Sequence, residues 1–281
     1  MAENDQVRDW FGTVSQEVWP AATRICDAIE RGLESIENQR NAYELANGMT
    51  LNETLAREPL KQARYDNAMG AYSNDRSIGV HHVIENFDWA ALEMATVVDV
   101  GGGIGTVSKA LAKAFPSLIF IVEDRPDVLL KADIGDQGRS QRIWYLEHDI
   151  FQPQPIKNAA VYFIRRVLME FDDEKAVQIL RALTPALKKG AIVLLQDAHV
   201  PPPGSCPIWQ ERKFRNSDML TLALSGLGQR DTEEWRALFE KADPGFEFRG
   251  VKQVPSTDIA FIEAIWRGDD PMTDAPKRPA G

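Results

Sequence analysis

The sequence predicts an α/β fold: a mostly parallel sheet with an antiparallel hairpin at its edge, preceded by a short helical segment. Three observations carry this. From Ala95 onward, short β-branched and apolar runs alternate with helical segments, which is the pattern of strands joined by crossover helices. Two final runs, Phe246–Gln253 and Asp258–Trp266, flank a Pro-containing turn and read as a closing hairpin. The first 78 residues carry no such runs and read as helices and loops.

Strands are expected at Val97–Val100, Leu118–Glu123, Ile143–Glu147, Ala160–Arg165 and Ala191–Gln196. Helices fall between them at Thr106–Ala114, Arg125–Ala132, Asp172–Leu187 and Asp231–Lys241. Ahead of the sheet, Val18, Ala22, Ile25, Ile29 and Leu33 recur at three- and four-residue steps, predicting one helix from Gln16 to about Leu33. That stripe needs a partner surface, either the rest of the chain or a second copy in a homodimer. Further helices are expected at Leu51–Leu55 and Pro59–Tyr72. The resulting division is a helical segment over 1–78, a main domain over 79–267 and a disordered Asp- and Pro-rich tail over 268–281.

Composition narrows the function. Of 281 residues, 44% are hydrophobic, and 42 Asp and Glu outweigh 32 Lys and Arg for a net charge of −10. No basic block stands ready to neutralise a phosphate backbone, so nucleic acid is excluded as the expected partner. Cys26 and Cys206 lie far apart without Cys/His spacing, which argues against a disulfide framework or a zinc site, and no metal is expected. Nowhere do ~18 apolar residues run together, and the N-terminus lacks a leader pattern. A cytoplasmic protein with no membrane partner is the expectation.

The most informative segment is Asp99-Val100-Gly101-Gly102-Gly103-Ile104-Gly105, between a predicted strand and a predicted helix. Glycines let the backbone turn tightly against a ligand, and the following helix offers free N–H groups. The dinucleotide pattern started at Gly101 would need glycine where Thr106 stands. The spacing suits instead a nucleoside without a pyrophosphate, and Glu123-Asp124 ends the second strand, where a carboxylate can accept both hydrogen bonds of a ribose diol.

On these residues, and on LEHDIFQPQPIKNAAVYFIRRVL and ILRALTPALKKGAIVLLQD downstream, the chain resembles the caffeic-acid-type O-methyltransferases, particularly their fungal secondary-metabolism branch. The resemblance runs from about Leu45 to Trp266. It implies the Rossmann-like sheet of a class I methyltransferase, and S-adenosyl-L-methionine (SAM) as cofactor. Gly101 and Gly103 would lie beside the methionine portion, Asp124 would hold the ribose, Asp149 and Ile150 would frame the adenine, and Arg165 would stand where plant members place a lysine. Met69, Tyr72, Met169, Trp209, Met219 and Leu222 would line an apolar pocket for a small aromatic or polyketide-like substrate.

The chain also departs from that family. Where the family has Leu-His-Asp/Asn-Trp, this sequence reads Leu168-Met169-Glu170-Phe171, and a thioether cannot serve as general base. Where the family's glutamate orients the histidine stands Gln229, while Asp197 keeps the other acid. Full-length relatives carry a winged-helix dimerisation domain, yet only 94 residues precede Ala95. Three functions follow: methyl transfer to a hydroxyl mainly by proximity, with Glu170 and Asp197 the first choice as proton acceptors and His199, His81 or His82 behind them; a non-methylating pericyclase or dehydratase in the same pocket; or an inactive partner subunit.

Overall fold

The computed structural model describes residues 5–34, 40–73, 79–132, 142–254, 257 and 259–270. In chain order its helices are α1 (Asp5–Thr13), α2 (Trp19–Ala22), α3 (Ile25–Glu34), α4 (Ala42–Asn47), α5 (Leu51–Arg57), α6 (Pro59–Ser73), α7 (Val80–Asn86), α8 (Thr106–Ala114), α9 (Pro126–Leu129), α10 (Asp173–Leu183), α11 (Ile208–Ser225) and α12 (Thr232–Ala242). The strands are β1 (Thr96–Val100), β2 (Ile119–Asp124), β3 (Ile143–Glu147), β4 (Val161–Arg165), β5 (Ile192–Ala198), β6 (Phe246–Gln253) and β7 (Ile259–Trp266). Contacts divide the chain into two units: Met1–His82 with Ala198–Asp231 and Gln253–Ile259, and Val83–Asp197 with Thr232–Lys252 and Ala260–Gly281. The sequence-based boundary at residue 78 differs from this, because Ala198–Asp231, including α11, packs with the early helices.

The second unit is built on a seven-stranded sheet in the order β3-β2-β1-β4-β5-β7-β6. Strands β1 to β5 are parallel, with Val98 beside both Ile121 and Tyr162, and Tyr162 beside Val193. Trp266, ending β7, donates to Ala191 just before β5 begins, and Arg267 donates to Gly245 just before β6, so β7 runs antiparallel to both neighbours as expected. Central strands buried on both faces read as near-continuous apolar runs, and Val161–Ile164 and Val193–Leu195 are all fully buried. Against one face pack Leu180 and Leu183 of α10 and Trp235, Leu238 and Phe239 of α12. The chain order reverses direction between β1 and β4, which is the switch point where open α/β sheets bind ligands.

Two expected helices are shorter than the pattern suggested. Pro185 turns the end of the Asp172–Leu187 helix into a 3-10 turn at Thr184–Ala186, and the Arg125–Ala132 helix is reduced to α9. Asp258 and residues 271–281 lie outside the described residues. Gly268–Asp270, assigned to a disordered tail, are instead tied down: Trp266 Nε1 donates to the Asp269 carbonyl and Lys189 N to Asp270 Oδ1.

In the first unit the single helix expected over Gln16–Leu33 is broken. A π-helical turn occupies Val14–Val18, and Thr23 and Arg24 separate α2 from α3. The wider turn shifts the buried face, so Glu17, Ala21 and Ile25 are buried while Ala22 and Ile29 of the expected stripe are exposed. The Leu33 side chain lies outside the described residues. Glu17 is only 2% exposed, and its carboxylate accepts from Tyr43 Oη at 2.6 Å and from Arg64 Nη2 at 2.8 Å. Burial and this acid push the Tyr43 phenol up to about 12. The bonds tie the π turn to α4 and α6. Removing one partner of a buried ion pair leaves the other charge uncompensated, so Glu17→Ala should lower stability by about 3 kcal/mol, measured by urea unfolding.

Candidate cofactor and active site

Strand register places the candidate residues. Val100 sits beside Glu123 on one side and Ile164 on the other, Asp124 is opposite Glu147, and Arg165 is opposite Gln196. The row at the carboxyl ends of the parallel strands therefore reads Glu147, Asp124, Gly101, Arg165, Gln196. The sequence-predicted Gly101, Gly103, Asp124 and Arg165 come together there, across the switch point.

The turn after β1 is held from β2. Gly101 N and Gly102 N both donate to the Glu123 carbonyl, at 2.8 and 3.0 Å, and Gly103 N donates to Asp124 Oδ2 at 2.8 Å. Gly103 has φ +62, a conformation that penalises side chains, and a Cβ built there would meet no atom within 4 Å. The space beside it is therefore open to a ligand. Asp124 Oδ1 takes Arg125 N at 2.8 Å, so each carboxylate oxygen spends one lone pair on the backbone and keeps another for a hydroxyl. This donor and acceptor set fits a nucleoside such as the ribose-bearing half of SAM.

Three supporting residues, Ser108, Gln154 and Tyr145, were not singled out from the sequence. Ser108 Oγ of α8 donates to Asp99 Oδ2 at 2.5 Å beneath the turn, and burial pushes the Asp99 carboxyl up to about 6. Glu123 is fully buried; its Oε2 accepts from Gln154 Nε2 at 2.8 Å and its Oε1 has no partner among the described residues. Burial pushes this carboxyl up to about 7. Gln154 Oε1 in turn accepts from Ile156 N, fixing the loop that follows Asp149 and Ile150. Tyr145 Oη donates to the Ile104 carbonyl at 3.2 Å, bracing the turn from β3. Asp149 itself is exposed and caps its own turn by accepting from Phe151 N at 3.0 Å, while Ile150 packs against the sheet core.

The candidate catalytic residues follow β4. Arg166 has φ +55, which turns the chain sharply into a 3-10 turn at Leu168–Glu170. Met169 N donates to Oδ2 of the buried Asp197 at 3.2 Å. Glu170 reaches solvent, yet the protein packed around it raises its carboxyl above the usual range, with Arg166 opposing. Gln229 belongs to the helical unit: its Nε2 donates to Ser217 Oγ at 2.9 Å and Thr221 Oγ1 at 3.2 Å. His199, in the same unit, is buried with Nδ1 2.9 Å from Gln253 Oε1, and burial holds it below the usual imidazole range. The His81 and His82 rings lie 3.9 Å apart.

Of the expected pocket residues, Met169 belongs to the sheet unit, whereas Met69, Trp209, Met219 and Leu222 belong to the helical unit. Trp209 and Met219 are 66% and 45% exposed, and Leu222 packs on the cluster around Ala21 and Tyr43. The Tyr72 side chain lies outside the described residues. No metal-binding cluster and no helix long and apolar enough to cross a membrane occur among the described residues.

The family model for the O-methyltransferase domain matches residues 27–247. The chain belongs to this O-methyltransferase family. It is 35% identical over 275 residues to chlorophenol O-methyltransferase of Trichoderma longibrachiatum, covering 95% of this chain and 59% of that protein. The chain spans about three fifths of the length of such curated relatives. Among solved structures, the mitomycin 7-O-methyltransferase MmcR superposes with a TM-score of 0.70 at 25% identity, covering 90% of this chain and 69% of that one. LepI in complex with SAH and a substrate analogue gives 0.71 at 21% identity, covering 94% and 68%, a likeness of fold. The class I methyltransferase sheet expected from the resemblance is thus the fold observed.

Glu123 gives this O-methyltransferase domain a testable pH dependence. An acid held at about 7 in the folded protein, against an ordinary 4.5, binds its proton more tightly when folded. Stability therefore falls as pH rises from about 4.5 to about 7, and levels off above that. Asp99, pushed up to about 6, adds a decline of the same sign at lower pH. Thermal unfolding should show Tm dropping across this window, and Glu123→Gln should flatten the upper part of the drop.

Proposed function

We propose that this chain binds SAM and transfers its methyl group to the hydroxyl of a small aromatic or polyketide-like molecule. The observation that carries the reading is the turn at Gly101–Gly103, gripped from β2 and open beside Gly103, with Asp124 presenting a carboxylate at its edge. When bound, the sulfonium supplies an electrophilic methyl carbon. The protein's part is to hold the nucleoside at Asp124, to leave the glycine turn's open side for the methionine portion, and to accept a proton.

Met169 has no titratable group, so proton acceptance falls to Glu170. Its raised carboxyl lies nearer the working range of a general base than that of an ordinary glutamate, and it would accept the proton of the substrate hydroxyl. Asp197, buried and engaged with Met169 N, holds the turn that presents Glu170. Correct placement of two reactants supplies about 7–11 kcal/mol of a barrier, against a typical ~10²- to 10⁴-fold from a general base, so proximity carries the larger share.

Incubation with SAM and a panel of phenols, followed by mass spectrometry, tests this. The expected result is a product heavier by one methyl group, formed in step with S-adenosylhomocysteine (SAH), and slowed at least ~10²-fold by Glu170→Gln. Product of unchanged mass without SAH would establish the non-methylating reading in its place.

A further inference from the structure

We propose that Gln196 is a positioning residue that aims the Arg165 guanidinium at the carboxylate end of the cofactor. The inference rests on reading the glycine turn as the SAM site and extends it to the amino-acid tail. With the ribose at Asp124 on β2, a ligand lying across the Gly101 turn reaches β4 next, and there the strand-end row holds Arg165. Among Glu147, Asp124, Gly101, Arg165 and Gln196, Arg165 is the cation. An α-carboxylate placed beside the acids at the other end of the row would be repelled, whereas a guanidinium can bind it through two parallel N–H bonds.

Gln196 determines how that guanidinium is presented. Arg165 Nε donates to Gln196 Oε1 at 2.7 Å, which fixes one edge of the guanidinium plane against β5 and so sets the direction of the rest. The amide orientation follows from the same bond, because turned over it would set Nε2 against the Nε–H donor. Gln196 is fully buried, the residues before it on β5, Val193, Leu194 and Leu195, are apolar, and its Nε2 has no partner among the described residues. A buried amide with an unmatched donor is costly as packing, and its acceptor explains its presence. Arg165 lies within the fields of Asp99 and Asp197, which favour its charged form, while burial and Arg166 lower its pKa to about 10; it is charged at neutral pH.

Calorimetric titration of the full chain with SAH and with 5′-methylthioadenosine, which keeps the nucleoside and sulfur but lacks the amino-acid tail, separates the possibilities. In the wild type SAH should bind more tightly. Gln196→Met, close in volume but without the acceptor, should weaken SAH about tenfold while leaving 5′-methylthioadenosine within about twofold. Equal weakening of both ligands would make Gln196 a merely structural residue, and unchanged SAH affinity would remove it from the site; either overturns the proposal. If the wild type binds neither ligand, the cofactor reading itself falls, a result distinct from the loss of discrimination by the variant.

Discussion

The candidate site depends on one grip: the carbonyl of Glu123 accepting from Gly101 and Gly102, with the next carboxylate, Asp124, accepting from Gly103. A glycine-rich turn has the most conformational freedom to lose, so it holds one shape only if its amides are engaged. Here the second strand supplies the acceptors in consecutive residues, and the parallel register of β1 and β2 brings them to the right height. Everything built on the turn follows from that alignment, including the open side at Gly103 and the placement of Asp124 at the strand ends.

The same region carries a stability cost. Two carboxyl groups are buried beside the turn, Asp99 beneath it against Ser108 of α8 and Glu123 on the opposite face of the sheet against Gln154, and burial disfavours their charged forms. Ser108 and Gln154 supply one hydrogen bond to each, which orients the acids without compensating them fully. Through Gln154 the second acid is also joined to Ile156 N, in the loop that follows Asp149.

Much of the fold was legible because the parallel strands are buried on both faces and leave continuous apolar runs, such as Val161–Ile164, that no other element explains. The early helices were harder. A π turn at Val14–Val18 changes the periodicity that a stripe assumes, so of the expected face Val18, Ala22, Ile25 and Ile29 only Ile25 is buried. Helix α11 was missed because apolar and charged residues are scattered round it, and α4 was missed although the capping box Asn41-x-x-Glu44 that starts it stood in the sequence to be read. At the site, Gly101, Gly103, Asp124 and Arg165 were readable from strand-end positions. Gln154, Tyr145 and Gln196 were not, because their roles arise from which strand or loop lies beside which, information that spacing along the chain does not hold.

Amide hydrogen exchange across the chain, with and without SAH, tests the central claim most directly. If the β2-gripped turn is the nucleoside site, SAH slows exchange in the peptides spanning Gly101–Gly105 and Asp124–Arg125 and leaves α10 and α12 unchanged. Unaltered exchange at the turn and at Asp124 under saturating SAH would contradict the account.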